Sequence, residues 1–186
     1  MGFGSVEIGA GRPVVVFDPG FAGSPAHLAL AKRFRVIVPN KTELTPRALG
    51  ETIADWAASE GLETVGFAGA GALAPAALWA ASAAGERASA AVLVSPDLPL
   101  DDDALQPLLT ELKTPKAVLI GTLDETQARD APALYRTRLS RSNVVLVYGA
   151  GGDIAADRPD AFARVVGDFL DRQARFAFMT GSLALE

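Results

Sequence analysis

Side chains able to support nucleophilic catalysis are few in this sequence of 186 residues. It contains one histidine, His27, and no cysteine. Ser24 precedes His27 by three residues, and Ser95 ends the apolar run AAVLVSP. A serine hydroxyl attacks a carbonyl only when a base such as imidazole accepts its proton. Ser24 or Ser95 acting with His27 as an atypical hydrolase or esterase is therefore one hypothesis, although neither serine stands at a readable spacing for such a pair.

A simpler structural role is open to each of these three residues. Ser24 directly precedes a helical pattern, where its hydroxyl would cap the helix N-terminus. His27 would then be a surface or hydrogen-bonded polar residue of that helix, and Ser95 would hydrogen-bond within its turn. We favour these roles, so the atypical hydrolase is kept as an alternative.

Composition excludes several other kinds of chemistry. Without cysteine there is no disulfide, thiol nucleophile or cysteine-bound metal, and a single histidine rules out a histidine-rich metal site. The run Asp101-Asp102-Asp103 fits a helix start, where negative charge is favourable, better than it fits a metal site. We expect neither a metal nor a cofactor.

Charge and hydropathy narrow the range of partners. A net charge of −5 without any basic block makes nucleic acid and anionic membranes poor partners. Residues 64–85 carry no charge, but this run is mostly Ala and Gly with Pro75 inside it, which favours a strand feeding a buried helix over a membrane span. The start of the chain shows no secretory-signal pattern, and we predict a cytoplasmic protein.

Six apolar, β-branched runs predict six strands, at residues 13–19, 34–39, 63–68, 90–96, 116–122 and 143–149. Continuous apolar runs are typical of strands covered on both faces. Helical patterns lie between and after them, at residues 24–33, 46–59, 71–84, 101–112, 126–140 and 157–173. This alternation predicts an α/β fold with a doubly wound, mostly parallel sheet of about six strands. We expect a single domain over residues 1–186, in which only the tail 176–186 departs from the pattern.

One glycine-rich turn lies where such sheets bind their ligands, beyond the carboxyl end of a strand. The stretch ETVGFAGAGALAPAALWAA, residues 63–81, predicts a strand, a sharp turn and a helix, but supplies no reactive side chain. Gly69-x-Gly71-x-x-Ala74 is a loose dinucleotide-binding pattern, with Asp97 placed to hold a ribose. A nucleotide-binding module is thus a further alternative, while glycines at a tight turn also serve packing alone.

Four segments in the correct order resemble the α/β-hydrolases over roughly residues 13–173. VVVFDPGFAGS is similar to the first-strand segment that supplies an oxyanion-hole amide, and TVGFAGAG to the nucleophile turn Gly-x-Ser-x-Gly. AVLIGTLDE is similar to the segment that bears the acid, and VYGAGGDIAADRPDAFARVVGDFL to the segment that bears the base. The resemblance implies an α/β-hydrolase fold.

The same resemblance implies that the catalytic residues are missing. The nucleophile position falls on Ala68, the base on Gly152 and the acid on Asp124, so no side chain attacks a carbonyl or accepts the proton. The backbone amides of Phe21 and Gly69 match the oxyanion donors, and backbone amides survive changes of side chain.

The predicted crevice is open, because DLPLDDDALQPLLTELKTP is long enough for one crossover helix but not for the family's usual lid. We therefore predict an α/β-hydrolase-like protein that lacks a cap domain and serine-hydrolase catalysis. It would bind a small apolar or carbonyl-bearing molecule there, or be covered by a second copy or a protein partner. Asp18 beside the turn would oppose a developing oxyanion. The candidate pocket residues are Pro19, Ser24, Phe67 and Ser95.

Overall fold

The β-branched runs of the sequence form six parallel strands of one sheet. In the computed structural model, which describes residues 4–18, 23–40 and 43–172, these are β2 (Pro13–Phe17), β3 (Arg35–Pro39), β4 (Val65–Ala70), β5 (Ala88–Val94), β6 (Lys116–Gly121) and β7 (Ser142–Val147). They pair in the order β3-β2-β4-β5-β6-β7. The predicted α/β class and the mostly parallel sheet are confirmed.

A further strand, β1 (Ser5–Ile8), pairs antiparallel with β3 and forms one edge of the sheet. Its sequence SVEI is short and only partly buried, so it lacks the continuous apolar run by which central strands are recognised. Over the described residues the sheet therefore has seven strands, in the order β1-β3-β2-β4-β5-β6-β7, rather than about six.

Helices connect the parallel strands, and several are shorter than their sequence patterns. They are α1 (Pro25–Leu30), α2 (Pro46–Ser59), α3 (Ala74–Ala84), α4 (Gln106–Thr110), α5 (Ala131–Arg138), α6 (Ile154–Asp157) and α7 (Pro159–Arg172). The acidic run 101–103 lies before α4 rather than in its first turn. There Asp102 Oδ1 accepts a hydrogen bond from Ala104 N at 2.9 Å, so this carboxylate stabilises a turn and not a helix start.

Hydroxyl and proline pairs begin two of these helices. Ser24 Oγ accepts a hydrogen bond from His27 N at 3.3 Å, and Thr45 Oγ1 accepts one from Ala48 N at the same distance. Each hydroxyl satisfies an N–H group that the first helical turn leaves without a partner. The capping role predicted for Ser24 is confirmed.

The helices cover both faces of the sheet, as a doubly wound fold requires. Helices α2, α3, α4 and α5 pack on one face, and α1, α6 and α7 pack on the other. The apolar side of α7 is buried through Phe162, Val166, Phe169 and Leu170, which recur at helical spacing. Between β5 and β6 the chain forms α4 and turns only, so no cap domain is inserted there. In the described part of the chain, none of the helices combines the length and the apolarity needed to span a bilayer.

The direction of the strand order changes between β2 and β4. The chain runs from β2 to β3 on one side, then crosses back to β4 on the other side of β2. Neighbouring strands whose connections diverge leave a crevice beyond their carboxyl ends, and ligands of open α/β sheets bind there. The carboxyl ends of β2 and β4 therefore define the position of the candidate site.

Candidate ligand site at the carboxyl ends of the strands

A cavity of about 210 Å³ lies at this switch in strand order. It opens on the face of the sheet that α6 and α7 cover. Its lining residues come from the carboxyl ends of β2, β4 and β5, from the segment that leads into and forms α6, and from α7: Val16, Asp18, Ala68, Gly69, Ala70, Gly71, Val94, Gly152, Asp153, Ile154, Ala155 and Phe162. We call it the switch cavity. Ala68, Gly69 and Gly152, which the family resemblance selects, all lie in its wall.

The glycine turn lies three residues beyond Ala68. Strand β4 continues to Ala70, and Ala68 pairs with Val92 of β5 inside the sheet. The backbone reverses at Gly71, whose φ of +52° is left-handed and suits glycine. A 3₁₀ turn over Gly71–Leu73 then leads into α3.

Close packing explains why Gly69 is needed two residues before this turn. A Cβ atom on Gly69 would lie 2.7 Å from Leu73 O and 2.8 Å from Ala74 Cα, both at the start of α3. Contacts this short do not occur for real side chains, so any larger residue would push α3 away from β4. The backbone of the turn therefore borders the cavity directly.

Asp18, which follows β2, places a carboxylate at the cavity, and behind it lies His27 of α1. The imidazole is fully buried, and its Nε2 lies 3.1 Å from Asp18 Oδ2. The oxygen lies within ion-pair distance but away from the N–H direction, because neither ring nitrogen of His27 has a hydrogen bond of good geometry among the described residues. The expectation of a surface or fully hydrogen-bonded histidine is wrong: this one is buried and underpartnered.

Asp124 and Gly152, which the family resemblance places at the acid and base positions, lie side by side. A Cβ atom on Gly152 would stand 3.5 Å from Asp124 Oδ2, an ordinary contact distance. Asp124 uses its other oxygen to accept hydrogen bonds from Thr126 Oγ1 at 2.6 Å and from Thr126 N at 3.2 Å. Asp124 thus organises the loop after β6 and keeps one oxygen toward Gly152.

Two backbone N–H groups beside the cavity are taken by carboxylates of the chain itself. Gly151 N donates to Asp157 Oδ2 at 2.7 Å, and Ala156 N donates to Asp153 Oδ1 at 3.0 Å. Groups of this kind commonly bind anionic ligands. Here the carboxylates of Asp157 and Asp153 already accept the hydrogen bonds of these two N–H groups.

Three of the pocket candidates lie elsewhere or outside the described residues. Phe67 is fully buried in the opposite core and stacks on Phe17, with ring centroids 6.4 Å apart. Ser24 uses its hydroxyl to cap α1 and does not line the cavity. Pro19, and with it the oxyanion candidate Phe21, falls outside the described residues, as does the tail 176–186.

Ser95 does not make the turn hydrogen bond expected of it. Its side chain is buried, its φ is +39°, and its Oγ has no hydrogen-bond partner among the described residues. A strained residue with an unpaired hydroxyl is unusual, and such residues cluster at functional sites. However, no hydrogen bond in the described part of the chain joins this hydroxyl to His27.

Tyr135 of α5 is a residue that sequence reasoning missed. Its hydroxyl donates to Pro96 O at 2.8 Å and so holds the segment after β5. Burial raises the pKa of Tyr135 to about 12, and the nearby charges of Asp97 and Asp124 act in the same direction. Asp97 N in turn donates to Gly71 O at 3.0 Å, which ties this segment to the glycine turn. The sequence pattern of residues 126–140 indicates a helix but gives no sign of this contact.

Comparison with known proteins identifies the fold. No protein-family model and no curated protein sequence matches the chain. A thermophilic esterase from Thermogutta terrifontis matches with a TM-score of 0.75 and 16% identity over 92% of this chain and 94% of the esterase. An α/β-hydrolase enzyme from the metagenome of lagoon sediments at Mar Chica, Morocco, matches with a TM-score of 0.73 and 16% identity over 90% and 94% of the two chains.

A predicted CIB-like hydrolase from Thermoplasma acidophilum gives a TM-score of 0.70 at 18% identity, over 86% of each chain. These likenesses cover 86–92% of the chain. The chain has the α/β-hydrolase fold.

Proposed function

We propose that this protein binds a small molecule in the switch cavity and does not act as a serine hydrolase. The observation that carries the proposal is the composition of the cavity wall. Where the fold's hydrolases present a nucleophile and a base, this wall presents Ala68, Gly71 and Gly152, none of which has a functional side chain. Acyl transfer by this fold needs both groups, and a cavity without them retains only binding.

We further propose that Gly71, rather than Ala68, occupies the nucleophile position of the fold. Gly71 has the positive φ of a strand-to-helix elbow, and Gly69 stands two residues before it in contact with α3, as the first glycine of Gly-x-Ser-x-Gly requires. Ala68 lies within the paired strand. Either assignment leaves the site without a nucleophile.

Ester turnover and active-serine labelling test the absence of catalysis. The wild-type protein and Asp124→Ala are compared on p-nitrophenyl acetate through butyrate, and both are treated with a fluorophosphonate probe. We expect no turnover that depends on Asp124 and no labelled serine. Turnover abolished by Asp124→Ala would refute the proposal.

A rebuilt site provides a matched positive control and tests the elbow position. Gly71→Ser with Gly152→His places a hydroxyl at the turn and an imidazole beside Asp124 Oδ2. Ala68→Ser with Gly152→His places the hydroxyl in the strand. We expect probe labelling of the first double variant only. Labelling of the second alone would return the nucleophile position to Ala68.

An atypical hydrolase remains the second candidate because Ser95 is buried, strained and unpartnered among the described residues. The solved structures that resemble this chain include an esterase and other hydrolases. Probe labelling of Ser95 or Ser24 in the wild-type protein, lost in Ser95→Ala or Ser24→Ala, would favour this candidate over a binding protein.

A second copy or a protein partner over the crevice is also proposed, since no cap domain covers it. Leu123 and Tyr148, just beyond β6 and β7, are 66% and 83% exposed. Apolar side chains in such positions commonly mark interaction surfaces. Light scattering that shows a monomer at all concentrations would contradict self-association.

A further inference from the structure

We infer that the switch cavity selects small molecules that carry a positively charged nitrogen and discriminates against carboxylates and other anions. This inference rests on the proposed small-molecule binding and specifies its chemistry. It follows from the signs of the charged groups at the cavity, from the state of the neighbouring amides, and from the apolar remainder of the wall.

Among the described residues, every charged side chain that lines the switch cavity is acidic. Asp18 and Asp153 contribute carboxylates, and this part of the wall contains neither lysine nor arginine. The Asp18 side chain is 14% exposed, so its charge acts through a partly desolvated medium. Opposite charges attract more strongly there than in bulk water, and like charges repel more strongly.

Two amides beside the cavity that could receive an anion are already hydrogen-bonded to carboxylates of the chain. Asp157 accepts the hydrogen bond of Gly151 N, and Asp153 accepts that of Ala156 N. A ligand carboxylate at these two amides would have to displace an internal anion, and near Asp18 it would meet a like charge. An ammonium group instead attracts carboxylate oxygens, because it carries hydrogen-bond donors only.

His27 sets the position of the Asp18 carboxylate from behind. It contributes no surface to the cavity, and its buried Nε2 lies 3.1 Å from Asp18 Oδ2. A buried imidazole whose nitrogens have no well-formed hydrogen bond in the described chain is costly to maintain, which is typical of a functional rather than a stabilising contact. His27 is therefore a positioning residue for the charged group.

The rest of the wall is apolar and limits the ligand's size. Val16, Val94, Ile154 and Phe162 surround the carboxylates. A dry apolar cavity of about 150 Å³ is known to hold benzene. At about 210 Å³ the switch cavity has room for one ring or a short alkyl chain with a single substituent. The ligand class is thus a small primary amine on an apolar body.

Three ligands of one shape and different charge test this inference. Benzylamine, which is protonated at neutral pH, is compared with neutral benzyl alcohol and anionic benzoate by amide chemical-shift titration. The variants are Asp18→Asn, Asp153→Asn, which keeps a capping oxygen for α6, and Asp103→Asn, which removes the same charge from an exposed residue outside the cavity. Thermal melting verifies that each variant folds.

For the wild type we expect benzylamine to bind at least about tenfold more tightly than benzyl alcohol, with benzoate the weakest. Asp18→Asn should remove about tenfold of the amine's affinity and leave the alcohol unchanged. Asp153→Asn should have a smaller effect in the same direction, because this carboxylate already caps α6, and Asp103→Asn should have none. If Asp18→Asn does not fold, the ordering of the three ligands and the effect of Asp153→Asn decide.

Two outcomes overturn the inference in different ways. If benzyl alcohol or benzoate binds as tightly as benzylamine, with shifts at Gly69 and Gly152, selection by charge is wrong while small-molecule binding stands. If none of the three ligands shifts these amides, the proposed binding function fails, and the inference fails with it.

Discussion

Two fully buried polar side chains at opposite ends of the sheet differ greatly in their hydrogen bonding. Lys116 begins β6, and its Nζ donates to the carbonyl oxygens of Leu112 at 2.6 Å, Ser140 at 2.9 Å and Thr114 at 3.3 Å. Among the described residues His27, next to the carboxyl ends of the strands, has only its approach to Asp18.

The contrast indicates that the Lys116 ammonium stabilises the fold, whereas the His27 imidazole contributes little to stability. Three carbonyls satisfy every donor of the Lys116 ammonium, as stable buried groups require. At the other end of the sheet His27 and the Ser95 hydroxyl are both left without good hydrogen bonds among the described residues. His27 contacts Asp18 and Ser95 follows Val94, and both Asp18 and Val94 line the switch cavity. Unsatisfied buried polar groups and strained residues cluster at functional sites.

The largest expected change in the free energy of unfolding comes from removing the hydrogen-bonded ammonium of Lys116. Lys116→Met leaves three carbonyls without a partner, and each buried unsatisfied group costs on the order of 1 kcal/mol or more. We expect the free energy of unfolding to fall by about 3 kcal/mol. Urea denaturation followed by circular dichroism measures the change.

The matched variant is His27→Met, which removes a buried polar side chain whose nitrogens have no good hydrogen bond among the described residues. Its free energy of unfolding should change by less than about 1 kcal/mol, since little hydrogen bonding is lost and an apolar side chain takes the place of the imidazole. Similar losses for the two variants would show that the two ends of the sheet do not differ in the way described.

The next effect is the pH dependence that Lys116 gives to stability. Burial, and then the charge of Arg141, lowers the pKa of Lys116 from 10.5 to about 8. Between these two values the unfolded chain binds the proton that the folded protein has released, so the free energy of unfolding rises with pH. The slope contributed by one such group is at most about 1.4 kcal/mol per pH unit.

Denaturation between pH 8 and 10 measures this rise, and Lys116→Met should remove it. Above pH 10 the raised pKa of Tyr135 acts in the opposite direction, because the folded protein then retains a proton that the unfolded chain loses. A rise of equal slope in the wild type and Lys116→Met would assign it to other groups.

The smallest effect concerns the backbone of Ser95. A φ of +39° is unfavourable for any residue with a Cβ, and glycine relieves it. We expect Ser95→Gly to raise the free energy of unfolding by about 0.5–1 kcal/mol, and Ser95→Ala to raise it less because the strain remains. Thermal melting of the two variants compares them. A larger gain for Ser95→Ala would mean that the unpaired hydroxyl, not the backbone, is the main source of strain.

The strand pattern and the position of the crevice were predictable because both depend on local signals. Continuous apolar runs mark covered strands, and parallel strands present their carboxyl ends at one edge. The short partly buried segment 5–8 lacks that signal, so β1 was missed. The adjacency of Asp124 and Gly152 was predictable only through resemblance to a known fold.

The exact place of the turn was not predictable from the run GFAGAGALA, residues 66–74. Small residues occupy most of its positions, so several alignments with a strand–turn–helix pattern fit equally well. The structure places the left-handed residue of the turn at Gly71 and packs Gly69 against the start of α3, and both features arise only in the packed fold. The same reason misplaced Phe67, since the face of β4 that borders the cavity depends on where α6 and α7 pack.

The close approach of Gly69 to α3 has a consequence for how this scaffold can change. The contact involves backbone atoms alone, and the carbonyl of the turning residue is held by the amide of Asp97. The shape of this corner is thus maintained without help from any side chain at position 71. The fold therefore tolerates a change of the side chain at position 71 without rebuilding the sheet, whereas a side chain at position 69 would disrupt it.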